Sequence, residues 1–251
     1  MVTIKSKLEL EKMRQAGKIV HQALVLMRQH AKPGITTLEL SRLAEKHIRK
    51  CGAVPSFKGY NGFPESVCVS VNEEVIHGIP SKRTLKDGDI VSVDVGACVD
   101  GYHGDAARTF AVGNVSDEAK RLISVTKLSF FEALAVMVEG KRVSDISAAV
   151  QNYVESNGFS VVRAYCGHGI GKDLHEAPEV PNYVDGSRGA GSTRLYAGMT
   201  LAVEPMVNIG TPEIYVEPNK WTVVTKDGAL SAHYENTVLI TKGEPVILTR
   251  G

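Results

Sequence analysis

The sequence predicts an α+β fold made of two related halves, roughly residues 1–115 and 116–251. Two observations carry this prediction. A pair of helical patterns followed by strand patterns occurs once in each half. The spacing Leu-x-x-Gly-x-x-apolar-x-Val-carboxylate also occurs twice, at 85–94 and at 195–204. Such a repeat predicts halves related by a pseudo-two-fold axis, with the strand-end carboxylates at their interface. We expect the halves to form one domain.

The composition is that of a soluble globular protein. The chain has 251 residues, of which 43% are hydrophobic and 23% charged, with a formal net charge of +1. This balance gives no electrostatic reason to expect nucleic-acid or membrane binding. The four cysteines are scattered without a Cys-x-x-Cys pair, which excludes a zinc knuckle or redox motif of that type and fits a reducing compartment. We therefore expect a cytoplasmic protein without a membrane segment.

Two helices are predicted at the start of the chain. Residues 6–31 carry apolar residues every three to four positions, and Ser6 is a candidate N-cap. A second helix is predicted from Thr36 to the glycine at position 52. Glu39 lies three residues after Thr36, which is the spacing of a capping box.

A β-hairpin is predicted over residues 85–110. Asp94 and Asp105 each lie near the end of an extended apolar run, and a turn sequence at 100–104 separates them. Folding this stretch back on itself brings the two carboxylates together. Because two neighbouring carboxylates repel and are costly to bury unpaired, the hairpin predicts a proton, a cation or a metal ion between them.

The second half repeats the helix-then-strand order. One helix is predicted from Ser116 to about residue 139, and another from an N-cap at Ser144 to Asn157. A stretch rich in glycine and serine, 181–194, is predicted to be a surface loop. Strands are predicted at 160–165, 200–209, 214–217, 221–225, 236–240 and 245–249.

Further candidate metal ligands lie in this second half. Glu204 ends the repeated strand, and Glu235 precedes an apolar strand. His168 lies between glycines that allow the backbone to approach closely. An oxygen-rich set with one nitrogen suits Mn, Fe, Co or Zn. Because four carboxylates exceed what one ion needs, the set predicts two divalent ions.

These residues and their contexts resemble the type I methionine aminopeptidases, which have the pita-bread (creatinase/aminopeptidase) fold. The resemblance runs from about residue 3 to the end, and it is to the short, bacterial type. It implies two αβ halves around a central antiparallel sheet covered by helices. The segments that carry it are Asn-Glu-x-x-x-His-Gly-Ile-Pro at 72–80, Val-Ser-Val-Asp-Val-Gly at 91–96, Gly-Tyr-His-Gly-Asp at 101–105, Gly-His-Gly-Ile-Gly at 167–171, Leu-His-Glu-x-Pro at 174–178, Val-Glu-Pro-Met at 203–206 and Ser-Ala-His-Tyr-Glu-Asn-Thr at 231–237.

The resemblance implies a role for each candidate ligand. Asp94 and Asp105 are expected to hold one ion, and His168 and Glu204 the other. Asp105 and Glu235 are expected to bridge the two ions. A water or hydroxide bridging the ions would be the nucleophile, because bound metal lowers its pKa. Glu204 is also expected to carry a proton from the nucleophile to the leaving amine.

Two further histidines are implied to be catalytic and to contact substrate. His175 is expected to contact the scissile carbonyl and stabilise the developing oxyanion, and His77 to contact the scissile nitrogen. Without the ligand set, each would be interpreted as an ordinary turn histidine. The matching substrate-binding positions are Phe57, Tyr60, Phe63, Cys68, Leu174 and Trp221, which would otherwise be interpreted as core.

Some positions depart from the bacterial pattern or carry a weaker implication. Phe57 stands where a cysteine is usual, Phe63 where a tyrosine is usual and Leu174 where a phenylalanine is usual. These differences concern the shape and preference of the pocket rather than the reaction. Asn72 and Ser231 match positions that can hold a structural monovalent cation in the family.

The expected function is removal of the initiator methionine from peptides and nascent chains when the second residue is small. A transient ribosome contact and a monomeric state are further expectations. One alternative is a proline-directed aminopeptidase of the same fold, which usually has a preceding domain and different substrate-side motifs. Another is a non-catalytic pita-bread binding protein, in which the metal ligands are typically absent.

Overall fold

A computed structural model describes residues 2–184 and 190–250 of the protein. Of the predicted loop at 181–194, residues 185–189 lie outside the described part. The first half contains helices α1 (Lys7–His30) and α2 (Thr37–Lys50), followed by strands β1 (Val54–Pro55), β2 (Cys68–Val71), β3 (Glu74–Ile76), β4 (Ile90–Val99) and β5 (Tyr102–Ala111). The second half contains helices α3 (Asp117–Ala135) and α4 (Val143–Ser156), followed by strands β6 (Ser160–Val161), β7 (Gly167–Gly169), β8 (Glu176–Val180), β9 (Thr200–Val203), β10 (Met206–Asn208), β11 (Ile214–Val216), β12 (Val223–Thr225), β13 (Ser231–His233), β14 (Asn236–Leu239) and β15 (Val246–Ile247).

The starts of the first two helices are as predicted. Ser6 caps α1 and Thr36 caps α2, and in both cases a glutamate three residues later completes a capping box. The reciprocal bonds satisfy backbone N–H groups that have no partner within the helix. Local sequence therefore sets where both helices begin.

The predicted helix boundaries in the second half are partly wrong. Ser116 caps α3 as predicted, but α3 ends at Ala135 rather than near 139. The N-cap of α4 is Arg142 rather than Ser144, because the Arg142 N–H donates to the Asp145 carboxylate over 2.7 Å. An acidic side chain in the first turn thus fixes the start of α4 two residues before the serine.

The hairpin is formed by β4 and β5, and it is tighter than predicted. The turn contains only Asp100 and Gly101, with φ angles of 48° and 81°. Two left-handed residues are what a two-residue hairpin turn requires, and Asp-Gly is a favoured pair there. The predicted turn residues 102–104 instead belong to β5, which pairs with β4 along ten consecutive positions.

The predicted strand at 200–209 is two strands that belong to different sheets. β9 pairs with β7 and β14, whereas β10 pairs with β6 and β13. The break falls at Glu204 and Pro205. Proline has no N–H group to donate to a ladder, so the chain leaves one sheet there and enters the next.

The two predicted repeats make equivalent backbone hydrogen bonds, one in each half. The Gly34 N–H donates to the Leu85 carbonyl, and the Gly140 N–H donates to the Leu195 carbonyl, both over 2.9 Å. Each glycine follows the first helix of its pair and has φ above 90°, which favours glycine. Leu85 and Leu195 are the first residues of the two sequence repeats, so the repeats occupy equivalent places.

The strands of the two halves form antiparallel sheets that meet near β5 and β14. In the first half, β1, β2 and β5 all pair with β4. In the second half, the strand order is β15-β14-β9-β7-β8. Helix α1 packs on β4 and β5, and α3 packs on β13 and β10. Separate apolar cores therefore lie beneath each helix pair. Among the described residues, no helix has both the length and the apolar character needed to cross a bilayer.

Helix α1 approaches the hairpin and the C-terminal segment at Gly17. A Cβ atom at Gly17 would lie 2.1 Å from the Leu248 carbonyl oxygen, and one at Gly104 would lie 2.8 Å from the Gly17 nitrogen. Neither distance is possible without moving backbone atoms. The close contact of helix, hairpin and C-terminal segment therefore depends on these two glycines.

We expect Gly17→Ala to lower the free energy of unfolding by about 1–3 kcal/mol. The overpacking cost exceeds the gain of up to about 1 kcal/mol from replacing a helical glycine. The midpoint of urea unfolding, followed by circular dichroism, measures the change. Gly243→Ala is the matched control, because a Cβ there meets nothing within 4 Å. Equal midpoints for the two variants would contradict the packing argument.

Candidate metal centre

A cavity of about 340 Å³ lies where the two halves meet. It is lined by every residue predicted from the sequence to be a metal ligand, a catalytic histidine or a pocket residue. The charged and ionisable members are Asp94, Asp105, His168, Glu204, Glu235, His77 and His175, and the apolar and aromatic members are Phe57, Tyr60, Phe63, Cys68, Leu174 and Trp221. The structure therefore brings together residues separated by up to about 180 positions in the chain.

The hairpin register sets the positions of its two carboxylates. Asp94 lies opposite Ala107, and Asp105 lies opposite Gly96. Residues two apart on a strand, and residues directly opposite each other, point to the same face of a sheet. Asp94 and Asp105 are therefore diagonal neighbours on one face, close enough for one cation to contact both.

Glu204 and Glu235 occupy matching breaks between paired segments. Val203 is paired with Asn236, and Met206 is paired with His233. Between these two pairs, Glu204 on one segment and Glu235 on the other have no partner in the strand pairing. The break caused by Pro205 thus directs two carboxylates into the cavity.

His168 lies on β7, where its flanking glycines are sterically required. A Cβ at Gly167 would lie 2.4 Å from the Ala202 carbonyl oxygen, and one at Gly169 would lie 2.3 Å from the Ala177 carbonyl oxygen. The His168 Nδ1 lies 2.8 Å from the Gly169 carbonyl oxygen, so it carries the proton and donates. The other ring nitrogen, Nε2, is left with a free lone pair 3.6 Å from Glu204 Oε1.

In this cluster of carboxylates, some buried oxygen atoms make no hydrogen bond that would balance their charge. Asp94 Oδ1, Asp105 Oδ1 and Glu235 Oε1 are buried atoms without a hydrogen-bond partner. Burial, reinforced by the neighbouring carboxylates, raises the pKa of Asp105 and Glu235 well above the ordinary range. Burial likewise raises the pKa of Asp94 to about 7 and that of Glu204 to about 8.

Burial has the opposite effect on the histidines of the site. It lowers the pKa of His168 to about 3 and that of His77 to about 4. Both imidazoles are therefore neutral at neutral pH. A neutral imidazole is the form that binds a metal ion or donates a single, directed hydrogen bond.

The residues present fit a divalent metal centre. One candidate ligand atom from each of Asp105, His168 and Glu235 lies within 4.8 Å of the others. The unpartnered oxygen atoms supply hard ligands, and the free His168 nitrogen supplies a borderline one. That donor set is typical of Mn, Fe, Co or Zn.

The two remaining histidines of the cavity lining, His175 and His77, each contact aromatic side chains. His175 Nδ1 is 2.7 Å from the Tyr60 hydroxyl, and its ring lies 4.2 Å from the His168 ring, centroid to centroid. His77 has a φ of 57°, a left-handed conformation that is uncommon for residues other than glycine. Its ring contacts those of Tyr165 and Trp221 edge to face.

The apolar part of the cavity is well defined. Phe63 and Trp221 meet edge to face with centroids 5.1 Å apart. Phe57, Cys68 and Leu174 are buried in the same cluster. The three positions that depart from the expected bacterial pattern, Phe57, Phe63 and Leu174, all line this part of the cavity.

Several residues near the site have no counterpart in the sequence prediction. His233 is buried, and its Nε2 lies 3.7 Å from Glu204 Oε2. Arg108 donates to the Glu235 backbone carbonyl and, over 2.6 Å, to Asn236 Oδ1. His233 could have been found from its place two residues before Glu235 in the segment 231–237. Arg108 carried no comparable signal. Asn61, Ile76, Ala164, Tyr165 and Cys166 also line the cavity.

The two halves are joined directly beside the ligands. The Thr237 hydroxyl accepts a hydrogen bond from the Asp105 N–H and donates one to the Asp105 carbonyl, both over 2.9 Å. The Glu235 N–H donates to the Ala107 carbonyl over 3.0 Å. These bonds fix Asp105 and Glu235 relative to each other across the interface.

The positions proposed for a monovalent cation are adjacent to each other. The Ser231 N–H donates to the Asn72 carbonyl over 2.9 Å. The Asn72 side chain is already used, since its Oδ1 accepts from the Ile90 N–H and its Nδ2 donates to Asp89. Any cation there would have to use other oxygen atoms, and the site stays a prediction.

Comparison with known proteins agrees with this geometry. Residues 11–242 match the model of metallopeptidase family M24. The methionine aminopeptidase of Clostridium acetobutylicum is 59% identical over 250 residues, which cover 99% of each chain. The crystal structure of methionine aminopeptidase from Thermotoga maritima superposes with a TM-score of 0.96 at 45% identity, over the whole of both chains.

A more distant structure shares the architecture. The Xaa-Pro dipeptidase from Bacillus anthracis has a TM-score of 0.79 at 25% identity, and the match covers 99% of this chain but 62% of that one. The predicted α+β pita-bread fold is thereby confirmed. From the match of the family model and the full-length relatives, we conclude that the chain belongs to metallopeptidase family M24.

Proposed function

We propose that the protein is an aminopeptidase that removes N-terminal methionine from peptides and nascent chains when the second residue is small. The observation that carries this proposal is the cavity at the interface of the halves. Its lining combines a candidate metal-ligating set, two neutral histidines and a mostly apolar and aromatic remainder. The similarity to proteins named methionine aminopeptidase over the full chain supports the same function.

The proposal includes two divalent ions. Asp94 and Asp105 would hold one ion and His168 and Glu204 the other, with Asp105 and Glu235 shared between them. When bound, such ions activate water as a nucleophile at neutral pH and anchor the free α-amine of the substrate. The buried oxygen atoms without partners support this arrangement, because each gains a positive partner.

Glu204 is proposed to carry the proton. It is the carboxylate whose two oxygens face imidazole nitrogens, at 3.6 Å from His168 and 3.7 Å from His233. A buried carboxyl group with a pKa raised toward neutrality can both accept and release a proton near pH 7. Glu204 would take a proton from the attacking water and deliver it to the leaving amine.

His175 and His77 are proposed to act on the two sides of the scissile bond. If the Tyr60 hydroxyl donates to His175 Nδ1, the other nitrogen carries the proton and can donate to the carbonyl oxygen. That bond would strengthen as negative charge develops on the oxygen. His77, held on the other side by Tyr165 and Trp221, would contact the leaving nitrogen.

The apolar wall is proposed to bind the methionine side chain. Aromatic edges and a small thiol suit a flexible, polarisable thioether. Phe57, Phe63 and Leu174 would alter the shape of this pocket relative to the usual bacterial pattern without touching the metal ligands. The expected ribosome contact, the monomeric state, the cytoplasmic location and the monovalent cation likewise stay predictions.

The first test is metal-dependent release of methionine. The metal-free protein, supplied in turn with Mn, Co, Fe or Zn, should release methionine from Met-Ala-Ser and much less from Met-Lys-Ser. Free methionine is quantified by mass spectrometry. Cleavage of Ala-Pro-Ala in preference to Met-Ala-Ser would favour a proline-directed peptidase. Binding of Met-Ala-Ser without release under any metal would favour a non-catalytic binding protein.

We expect Glu204→Gln to lower kcat/KM for Met-Ala-Ser by about 10²–10⁴ while the protein stays folded. The amide cannot exchange a proton, which removes general acid–base catalysis. Steady-state kinetics with circular dichroism measures both properties. Glu213→Gln, at an exposed glutamate, is the matched control and should behave as wild type. Activity within a few-fold of wild type in the Glu204 variant would contradict its assignment as proton carrier.

The metal-free protein should lose stability as the pH rises from about 7 to 8. In the unfolded chain, Asp94 and Glu204 ionise near pH 4, whereas the folded protein keeps their protons up to a pKa of about 7 and about 8. Raising the pH therefore favours the unfolded state, by up to about 1.4 kcal/mol per proton and pH unit. The site histidines contribute little above pH 7, because they are neutral in both states.

Bound metal should remove this trend, because it stabilises the ionised carboxylates. The increase in melting temperature on adding Mn²⁺ should consequently be larger at pH 8 than at pH 6.5. Scanning calorimetry of metal-free and Mn²⁺-loaded protein at both values measures it. An increase that is equal at both pH values, or larger at pH 6.5, would show that proton release is not coupled to metal binding.

A further inference from the structure

In the segment before helix α1, Lys5 forms a buried ion pair with Glu176, which lies 171 residues further along the chain. Lys5 Nζ lies 2.6 Å from Glu176 Oε2, and only 4% and 9% of the two side chains are exposed. The Thr3 hydroxyl also donates to Glu176 Oε2 over 2.6 Å, and Lys5 contacts Thr3 as well. A buried pair with these additional bonds is well satisfied, unlike most surface ion pairs.

The segment is seated by its backbone as well as by this pair. The Lys5 N–H donates to the Gly198 carbonyl over 2.9 Å. A Cβ at Gly198 would lie 2.6 Å from Ile4 Cγ2. Residues 3–5 are therefore packed against the turn that precedes β9, whose end carries Glu204.

The partner of Lys5 is the first residue of β8, directly after the loop that carries two cavity residues. Glu176 immediately follows Leu174 and His175, both of which line the cavity. Its second oxygen, Oε1, accepts from the Asp173 N–H over 3.2 Å. A Cβ at Gly171 would lie 2.2 Å from Lys5 Cε, so the loop closes directly over the lysine. The carboxylate thus joins the two ends of the loop 171–176 to the N-terminal segment.

Charge agrees with this geometry. Burial opposes ionisation of Glu176, but the hydrogen bonds from Lys5 and Thr3 outweigh it and lower its pKa. Glu176 is therefore a carboxylate at neutral pH and can pair with the Lys5 side chain. His175 itself has a single side-chain hydrogen bond among the described residues, to the Tyr60 hydroxyl. Its ring also packs against those of Tyr60 and His168, and its backbone is held by the neighbouring Glu176.

We infer that Lys5, acting through Glu176, is a positioning residue that holds His175 in its catalytic orientation. The inference rests on the function proposed above for His175. Neither Lys5 nor Glu176 lines the cavity, so neither is expected to contact substrate. We call the Lys5–Glu176 ion pair the clamp. Its loss should move His175 away from the carbonyl oxygen of the substrate and weaken transition-state stabilisation more than substrate binding.

The test compares Lys5→Met, which keeps the unbranched stem of the side chain and removes its charged end, with Lys7→Met at an exposed lysine of α1. In the Mn²⁺-loaded enzyme, Lys5→Met should lower kcat for Met-Ala-Ser about tenfold or more, with KM within about threefold. Lys7→Met should match wild type. The double variant Lys5→Met/Glu176→Gln should be no slower than Glu176→Gln alone, because both changes break one clamp.

A second readout needs no substrate. The His175 ring signals in the NMR spectrum of Zn²⁺-loaded protein, assigned by their loss in His175→Asn, should shift in Lys5→Met and not in Lys7→Met. Thr3→Val removes one exposed hydroxyl only, so it tests the clamp even if Lys5→Met does not fold. It should shift the same signals by a smaller amount.

Unchanged His175 signals, or a kcat within about twofold of wild type in folded Lys5→Met, would overturn the inference. If Lys5→Met does not fold, unchanged signals in Thr3→Val would overturn it. A wild-type protein that releases no methionine would instead contradict the proposed function. The ring signals would still decide whether Lys5 positions His175.

Discussion

The mutual repulsion of four carboxylates brought together in one cavity is the constraint on which the rest of the structure depends. Each of the four acids alone would be costly to bury, and together they cannot all be ionised without a compensating positive charge. The pKa values of all four are raised in the absence of metal. The fold therefore has to hold the acids in place against their own repulsion. It does so with rigid backbone: a fully paired hairpin on one side and two sheet ladders on the other.

The bonds that cross between the halves are consistent with this requirement. Thr237 exchanges two hydrogen bonds with the backbone of Asp105, and Arg108 donates to the backbone carbonyl of Glu235. Both contacts hold the main chain of a candidate ligand and do not involve its carboxylate. Side-chain bonds to the carboxylates would compete with a metal ion for the same oxygen atoms. The supporting residues thus position the ligands without occupying them.

Sequence reasoning predicted the parts of this arrangement that depend on local chemistry. The helix caps at Ser6 and Thr36, the apolar strand periodicity and the duplicated spacing all have short-range causes, and the structure confirms them. The resemblance to a known family then supplied which residues would converge.

The errors have equally specific causes. The N-cap of α4 is Arg142, because its N–H donates to the carboxylate of Asp145. The predicted cap, Ser144, consequently lies within the helix. The prediction of a single strand at 200–209 was wrong, because the apolar pattern continues through Pro205 whereas the ladder of backbone hydrogen bonds stops there. Arg108 carries no motif of its own, and His233 lies in the segment 231–237 without an assigned role, because the contacts of both arise from distances set by the tertiary fold. Side chains that support a site through backbone contacts are the least visible in a single sequence.

The same burial gives the histidines and the carboxylates complementary properties. It raises the pKa of the acids and lowers that of His168, His77 and His233, so the metal-free site approaches neutrality as protonated acids beside neutral imidazoles. Positive imidazoliums would repel an incoming cation, and ionised acids would repel one another. A cation that displaces the protons from the acids meets no opposing charge from the histidines. One buried environment therefore suits the candidate ligands to a cation and keeps the neighbouring imidazoles in the neutral form that can donate a directed hydrogen bond.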